Sequence, residues 1–236
     1  MSHFLVVGGS RGIGLELVKT LAATQASVTV LSRTWEHGNM DGVVHQPFDV
    51  VSGDLDTLAL PESIDGLAYC PGSINLKSIR ALSPEILRDD FELNVVGAVK
   101  LVQASIKSLK AAASASGHPS SIVFFSTVAV AQGIPMHSSV AASKGAIEAL
   151  TRTIAADLSP QVRANCIAPA LTQTPLAASF FSSEEKAAKL AQMYPLGRTG
   201  MANDIASMAA FLMGPESSWI TGQVIGIDGG MSSVKK

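Results

Sequence analysis

Charged residues are scarce in this sequence. They make up 15 % of its 236 residues, against about 25 % in an average soluble domain, whereas 47 % of the residues are hydrophobic. This hydrophobic content excludes a disordered chain, and the low charge predicts that part of the surface is buried in a homo-oligomer. The 17 Lys and Arg against 19 Asp and Glu give no positive excess, so we expect no nucleic-acid partner.

Long apolar runs and a cysteine framework are also missing. No run approaches the roughly 20 apolar residues of a membrane-spanning helix, so we expect no membrane partner. The apolar stretch Phe4–Val7 is followed at once by glycines and is too short for a secretory signal. The two cysteines, Cys70 and Cys166, lie in separate apolar segments, which favours a reduced, cytoplasmic protein. No metal site is predicted.

Short apolar runs alternate with longer stretches of helical spacing. The runs predict strands over Phe4–Val7, Ala26–Leu31, Gly42–His45, Asp65–Tyr69, Ser121–Phe125, Val162–Ile167 and Gln223–Ile227. Helices are predicted over Leu15–Ala23, Pro84–Ala115, Ser138–Leu158 and Asp204–Met213, and a small-residue loop over Ala111–Ser121. Apolar strands separated by helices are typical of a parallel sheet covered on both faces. We therefore predict an α/β fold: a single doubly wound, Rossmann-type domain over residues 1–236, with about seven parallel strands.

A glycine-rich turn follows the first predicted strand and opens the first predicted helix. It reads Gly8-Gly9-Ser10-Arg11-Gly12-Ile13-Gly14. Glycines let the backbone approach a pyrophosphate, and a helix N-terminus offers free N–H groups and a positive dipole. A turn without a ligand is the alternative, but the order strand, turn, helix favours a dinucleotide site.

The end of the second predicted strand bears on which dinucleotide binds. An acidic residue there would accept from the ribose 2′-hydroxyl of NAD, but the sequence has Ser32 and then Arg33. Arg33 and Arg11 together suit a phosphate monoester, so NADP(H) is predicted and NAD(H) is less favoured. Two solvated surface arginines are the alternative. Asp49, after the third strand, is interpreted either as an acceptor for the adenine amino group or as a turn residue.

Ordered motifs along nearly the whole chain resemble the short-chain dehydrogenase/reductases, in the branch that includes the 3-oxoacyl-carrier-protein reductases. They are the glycine turn, Asp49-Val50, Gly72, Asn94, Val162–Pro169, Pro195–Arg198, and Ile220–Gln223 with Asp228–Gly230. The resemblance implies an NAD(P)-dependent oxidoreductase for a small-molecule carbonyl or alcohol, assembled as a tetramer or a dimer. It implies cofactor contacts at Gly8, Ser10, Arg11, Gly12, Ile13, Gly14, Ser32, Arg33, Asp49, Val50, Gly72, Asn94, Lys144, Pro169, Thr172 and Thr174.

The catalytic residues that the resemblance implies are incomplete. The family uses a serine and a Tyr-x-x-x-Lys pair, whose two side chains share one face of a helix. In this chain Lys144 is present, Thr127 takes the serine position and Val140 stands at the tyrosine position. Asn94 matches the asparagine that supports a proton-relay water. Because valine has no proton to donate, the predicted catalytic set is Asn94, Thr127 and Lys144.

Three explanations compete for the missing tyrosine. In the first, another group donates the proton: His137, Ser138, Ser139, or a water held by Lys144, Asn94 and Thr127. In the second, the reaction needs no tyrosine. In the third, the chain binds NADPH without turnover, as a sensor or a scaffold. Loss of one general acid costs about 10²–10⁴-fold in rate, so a weak enzyme is physically allowed.

The stretch Thr174–Met193 is predicted to cover the substrate. Its apolar side chains are Leu176, Phe180, Phe181, Leu190 and Met193. They favour an apolar or amphipathic substrate, whose identity the sequence does not give. Packing of this stretch against the core or against a neighbouring subunit is the alternative.

Overall fold

A seven-stranded parallel sheet forms the centre of the molecule. The computed structural model describes residues 1–235, with strands β1 (His3–Val7), β2 (Ser27–Ser32), β3 (Val43–Pro47), β4 (Gly66–Tyr69), β5 (Ser120–Phe125), β6 (Val162–Pro169), β7 (Thr172–Gln173), β8 (Gly200–Met201) and β9 (Val224–Ile227). The large sheet has the order β3-β2-β1-β4-β5-β6-β9, while β7 and β8 pair with each other. All seven predicted strands are confirmed, with ends displaced by one or two residues.

Helices cover both faces of this sheet. They are α1 (Gly12–Ala22), α2 (Pro84–Phe91), α3 (Gly97–Ser116), α4 (Ala129–Gln132), α5 (Ser138–Leu158), α6 (Glu184–Ala191) and α7 (Ala202–Met213). Helices α1 and α7 pack against each other on one face, and α3 and α5 lie on the other. The predicted doubly wound α/β fold is therefore confirmed.

Alternate strand positions supply two separate cores. In β1, Leu5 and Val7 pack with Leu101 of α3 and Ile147 of α5, whereas Val6 points to the core beneath α1 and α7. A strand that is buried on both faces has no solvent-exposed positions for polar side chains. Such strands therefore appear in the sequence as continuous apolar runs. Among residues 1–235, no helix is long and apolar enough to cross a membrane.

The prediction of one continuous helix over Pro84–Ala115 is wrong. A wider π turn, Glu92–Val96, separates α2 from α3. Within it Asn94 is buried and its Nδ2 donates to the Asp90 backbone oxygen at 2.8 Å. The apolar spacing does not reveal such a turn, because the one extra residue in the turn shifts the helical pattern without interrupting it.

The prediction of a loop over Ala111–Ser121 is also wrong for most of its length. Helix α3 continues to Ser116, since its alanines have the highest helix propensity. It ends at Gly117, whose φ of 72° is the left-handed conformation that glycine adopts without strain. Strand β5 begins three residues later, at Ser120.

The stretch Thr174–Met193 has secondary structure that was not predicted. It contains a 3₁₀ turn, Pro175–Phe181, followed by helix α6. The helix begins where Ser183 Oγ accepts from the Lys186 backbone N–H at 3.3 Å. This places an ordered segment directly after β7, at the edge of the sheet where the glycine turn lies.

Candidate active site

The glycine turn connects β1 to α1 at the carboxyl edge of the sheet. Gly8 has φ +77°, and a Cβ on it would lie 3.0 Å from the Pro71 backbone nitrogen. Gly12 has φ +55°, and a Cβ there would lie 3.3 Å from the Thr174 side chain. A Cβ on Gly14 would overlap the Gly8 carbonyl oxygen. The turn therefore requires glycine at these positions and leaves its backbone bare, as a pyrophosphate cradle needs.

Helix α1 begins in this turn with its first N–H groups uncapped. Arg11 is the N-cap residue, its backbone is extended, and no side chain caps the first turn. No acidic residue lies in that first turn either. The positive end of the helix dipole is thus available to an anion, and the cradle fits the diphosphate of a dinucleotide.

The predicted phosphate-binding arginines lie near the end of β2. Arg33 is exposed, and Arg11 Nη2 forms an ion pair with Glu36 Oε1 at 3.2 Å. Ser32 is buried and its Oγ donates to the Thr34 backbone oxygen at 2.9 Å. Arg11 and the loop after β2 are therefore in contact, while the role predicted for Ser32 remains a prediction.

Asp49 follows β3 and shapes a turn. Its Oδ1 accepts from the backbone N–H groups of Val51, at 2.9 Å, and Ser52, at 3.4 Å. Val50 is buried beside it. The turn interpretation is thus realised, and contact of Asp49 and Val50 with adenine stays a prediction.

Helix α5 presents Lys144 and Val140 one turn apart on one face. Both are buried, Val140 at 7 % and Lys144 at 8 % exposure. Burial lowers the pKa of Lys144 to about 8, although Cys166, Cys70 and Asp90 act in the opposite direction. The lysine is therefore close to giving up its proton near neutral pH.

Gly72 brings Lys144 and Asn94 together. A Cβ on Gly72 would lie 3.5 Å from Lys144 Nζ and 3.6 Å from Asn94 Oδ1. Asn94 Oδ1 is buried and has no hydrogen-bond partner in residues 1–235. An unpartnered buried acceptor costs free energy unless a donor reaches it, so this corner fits a bound hydroxyl or a water.

Two hydroxyl residues follow β5. Thr127 is half-buried and its Oγ1 accepts from the Ala129 backbone N–H at 3.3 Å. Ser126 is buried and donates to Glu148 Oε1 at 2.6 Å. Since Ser126 is engaged by a carboxylate of α5, Thr127 is the residue with a hydroxyl proton still to offer.

The chain after β6 borders the same edge. Pro169 ends β6, and Thr172 Oγ1 donates to the Ala170 oxygen at 2.9 Å. Thr174 packs over the position of Gly12. The predicted contacts of Pro169, Thr172 and Thr174 with a dinucleotide remain predictions.

Comparison with known proteins places this fold and this edge in a family. Residues 7–232 match the family described as enoyl-(acyl carrier protein) reductase. The L-xylulose reductase of Bos taurus is 30 % identical over 236 aligned residues, covering 96 % of this chain and 94 % of the relative. A tropinone reductase homolog of Arabidopsis thaliana is 32 % identical, covering 97 % and 91 %. The chain belongs to the short-chain dehydrogenase/reductase family.

Solved structures of short-chain dehydrogenase/reductases superpose on the whole chain. The ligand-free aldohexose dehydrogenase of Thermoplasma acidophilum has a TM-score of 0.88 at 27 % identity, covering 100 % of this chain and 96 % of that one. A short-chain type dehydrogenase/reductase from Mycobacterium ulcerans has a TM-score of 0.84 at 28 % identity, covering 98 % and 90 %. Members of this family bind NAD(H) or NADP(H).

The two tyrosines of this short-chain dehydrogenase/reductase lie away from Lys144. Tyr69 ends β4, and its phenol donates to the Leu93 backbone oxygen at 2.6 Å. Burial raises the pKa of Tyr69 well above its usual range and also raises the pKa of Tyr194, which lines a separate cavity beyond β9. Neither phenol replaces a tyrosine at position 140.

The other candidate donors differ in their surroundings. Ser138 is exposed, and His137 Nδ1 lies 2.8 Å from the Pro135 oxygen at the start of α5. Ser139 is buried and donates to Asp90 Oδ2, so it faces α2 and not the Val140 side of the helix. Lys144 and Ser143 are thus the buried proton-bearing groups on the Val140 face of α5, and Ser143 Oγ donates to the Val140 backbone oxygen at 3.1 Å.

Sequence reasoning missed Asp90 in this short-chain dehydrogenase/reductase. It is 1 % exposed and accepts hydrogen bonds from Ser73, Asn75 and Ser139. The sequence spacing contained a signal. Asp90 and Asn94 are four residues apart, as are the two serines of α5 that they contact, Ser139 and Ser143. Helical pairs of this kind can meet side by side, but the sequence alone does not show which helices do so.

Proposed function

We propose that this protein is an NADP(H)-dependent oxidoreductase that interconverts a carbonyl and an alcohol, with a lysine-centred site in place of the family's tyrosine. The observation that carries the proposal is the placement of Lys144 Nζ and the unpartnered Asn94 Oδ1 around Gly72. Both atoms lie at the carboxyl edge that also holds the bare glycine cradle. Cofactor binding and proton handling therefore share one site.

The side chains divide the work. The glycine turn and the N-terminus of α1 bind the diphosphate, and Lys144 binds the nicotinamide ribose. Thr127 donates a hydrogen bond to the substrate oxygen, and Asn94 Oδ1 holds a water beside Lys144. When bound, the dihydronicotinamide supplies a hydride to the carbonyl carbon.

The NADP(H) preference rests on the arginines. Arg33 is exposed at the end of β2, and Arg11 is 63 % exposed in the side chain, so both can turn toward a 2′-phosphate. In this structure Arg11 Nη2 forms an ion pair with Glu36 Oε1 at a distance of 3.2 Å. The phosphate and Glu36 then compete for the same guanidinium.

The substrate is proposed to be apolar or amphipathic. Leu176 and Met193 are 56 % and 57 % exposed on the segment that begins where Thr174 packs over Gly12. A bound substrate beneath this segment would cover them. Homo-oligomer formation is proposed on similar grounds, because Phe211 of α7 and Trp219 are 41 % and 99 % exposed.

The second candidate function is NADPH binding without turnover, as a sensor or a scaffold. Val140 favours it, since this buried side chain stands one turn before Lys144 and carries no proton. Ribose binding by Lys144 serves such a protein equally well. Cofactor affinity alone does not separate the two functions.

A two-stage experiment tests the proposal. Titration with NADPH and NADH, followed by nucleotide fluorescence, is expected to show tighter NADPH binding. A panel of apolar and amphipathic ketones is then expected to show slow oxidation of NADPH that Lys144→Met abolishes. Tight NADPH binding with no turnover on any ketone favours the second function, and absence of binding to either nucleotide contradicts both.

A further inference from the structure

Asp90 is a buried carboxyl group that is surrounded by hydrogen-bond donors. Its Oδ1 accepts from Ser73 Oγ at 2.5 Å and from Asn75 Nδ2 at 2.7 Å, and its Oδ2 accepts from Ser139 Oγ at 2.5 Å. All three partners donate. An ionised carboxylate only accepts, so this surrounding is the one that a charged Asp90 requires. The side chain is 1 % exposed, which leaves little contact with solvent.

Lys144 is the matching positive charge. The ion pairs formed within the described part of the chain, residues 1–235, involve other side chains and include neither Asp90 nor Lys144. A buried charge is costly unless an opposite charge or several hydrogen bonds compensate it. The opposite charges of Asp90 and Lys144 can therefore offset the free-energy cost of burying each other.

A short polar chain leads from Asp90 toward Lys144. Ser73 Oγ donates to Asp90 and accepts from Asn94 Nδ2 at 3.4 Å. Asn94 in turn directs Oδ1 to the open face of Gly72, where Lys144 Nζ also lies. The serine and the asparagine thus lie between the carboxylate and the ammonium, and Asn94 Oδ1 and Lys144 Nζ face the same open space beside Gly72 without a hydrogen bond between them.

The other titratable groups that face Lys144 are thiols. Cys70 follows β4 and Cys166 lies in β6, and burial raises the pKa of each to about 12. Both thiols are neutral at the pH where Lys144 titrates. Neutral thiols do not favour the ammonium, so Asp90 is the group beside Lys144 whose charge raises its pKa.

We propose that Asp90 is a positioning residue of this site, whose negative charge keeps the Lys144 ammonium protonated so that Nζ supplies the proton that Val140 cannot. The proposal rests on the proposed function for its chemistry. As the substrate carbonyl accepts a hydride from bound NADPH, its C–O π bond opens and the oxygen takes one proton. The Nζ–H bond breaks and leaves a neutral amine, which then regains a proton from water.

The test measures the ionisation of Lys144 directly, in the protein without nucleotide. Lysine labelled with ¹³C at Cε is followed by NMR against pH, and the Lys144 signal is identified by its loss in Lys144→Met. The wild type is expected to titrate with a pKa of about 8. Asp90→Asn is expected to lower that midpoint measurably, because the opposing charge is gone.

Two control variants separate charge from packing. Asp89→Asn removes the same charge from the adjacent, exposed position of α2, and Ser139→Ala removes one donor to Asp90 while the charge stays. Both are expected to leave the Lys144 midpoint nearly in place. If Asp90→Asn does not fold, Ser73→Ala removes the intervening serine hydroxyl and is expected to lower the midpoint by a smaller amount.

The outcomes are distinguishable. A midpoint that Asp90→Asn and Ser73→Ala leave unchanged overturns the proposal, as does an equal drop in Asp89→Asn. A carbonyl reductase activity is expected to fall as pH rises through the Lys144 midpoint, and in Asp90→Asn this fall occurs at lower pH. Failure of NADPH to bind the wild type contradicts the proposed function but leaves the NMR result for Asp90 and Lys144 intact.

Discussion

The glycine turn before α1 and the side chains of α5 belong to the same proposed dinucleotide site, but they depend on the sequence in different ways. In the turn, Gly8 and Gly12 have positive φ, and a Cβ on Gly14 would overlap the Gly8 carbonyl oxygen. On α5, the proposed role of Lys144 depends on its ammonium group, and Val140 lacks the hydroxyl that a tyrosine would supply. A single substitution therefore destroys the turn, whereas on α5 it changes the chemistry and leaves the helix in place.

The largest expected effect is a loss of the turn itself. Gly14→Val places a side chain on the Gly8 carbonyl oxygen, so the backbone must shift and the cradle opens. We expect loss of measurable NADPH binding by fluorescence titration. Gly145→Ala is the matched control, because a Cβ there meets only Val130 at 3.6 Å. Unchanged NADPH affinity in Gly14→Val would place the diphosphate elsewhere.

The next effect is a gain on α5. Val140→Tyr restores a phenol one turn before Lys144 and should raise the rate of ketone reduction by about 10²-fold or more, the usual contribution of a positioned acid. The control is Val140→Phe, which adds the ring without the hydroxyl and should give no gain. The measurement is kcat at saturating NADPH. Equal rates for the two variants would show that a substitute donor already suffices.

A smaller effect is expected at the adenosine end. A charge-assisted contact to a phosphate contributes about 1.5–3 kcal/mol. Arg33→Ala should therefore weaken NADPH binding by about ten- to a hundredfold and change NADH binding little. Arg152→Ala, an exposed arginine on α5, is the control. Equal losses for NADPH and NADH would argue against a 2′-phosphate contact.

The smallest effect concerns the ion pair of Arg11. Exposed ion pairs contribute about 0.2–1 kcal/mol, so Glu36→Gln should free Arg11 and tighten NADPH binding by about two- to fivefold. Glu16→Gln, whose ion pair with Lys19 lies elsewhere on α1, should have no effect. Weaker NADPH binding in Glu36→Gln would mean that the carboxylate orders the loop and does not compete for the arginine.

The contrast between the glycine turn and the α5 site also explains which features could be predicted from the sequence. Buried parallel strands and glycines at strand ends leave local patterns, so the sheet and the turn before α1 were predictable. The π turn that holds Asn94 was not predictable, because the apolar pattern continues through it while the number of residues per helical turn changes. Residues 111–116 were misjudged for a related reason, since small side chains suit both a loop and a tightly packed helix.

The Asp90 cluster could not be predicted in the same way. Its members come from the loop after β4, from α2 and from α5, and they meet only because these elements pack together. A carboxylate next to Asp89 on a polar helix resembles a surface residue in the sequence. Its burial depends on tertiary contacts, which a local pattern does not contain.

The two tryptophans give this protein a built-in pair of optical reporters. Trp35 lies in the loop after β2, stacked on His45 and hydrogen-bonded through Nε1 to the Gly38 oxygen at 2.8 Å. It is close to Arg33 and Glu36, so its emission should be quenched by the bound dihydronicotinamide dinucleotide. Trp219, 99 % exposed, should instead shift its emission when subunits associate. One spectrum of the unlabelled protein thus records nucleotide occupancy and assembly separately.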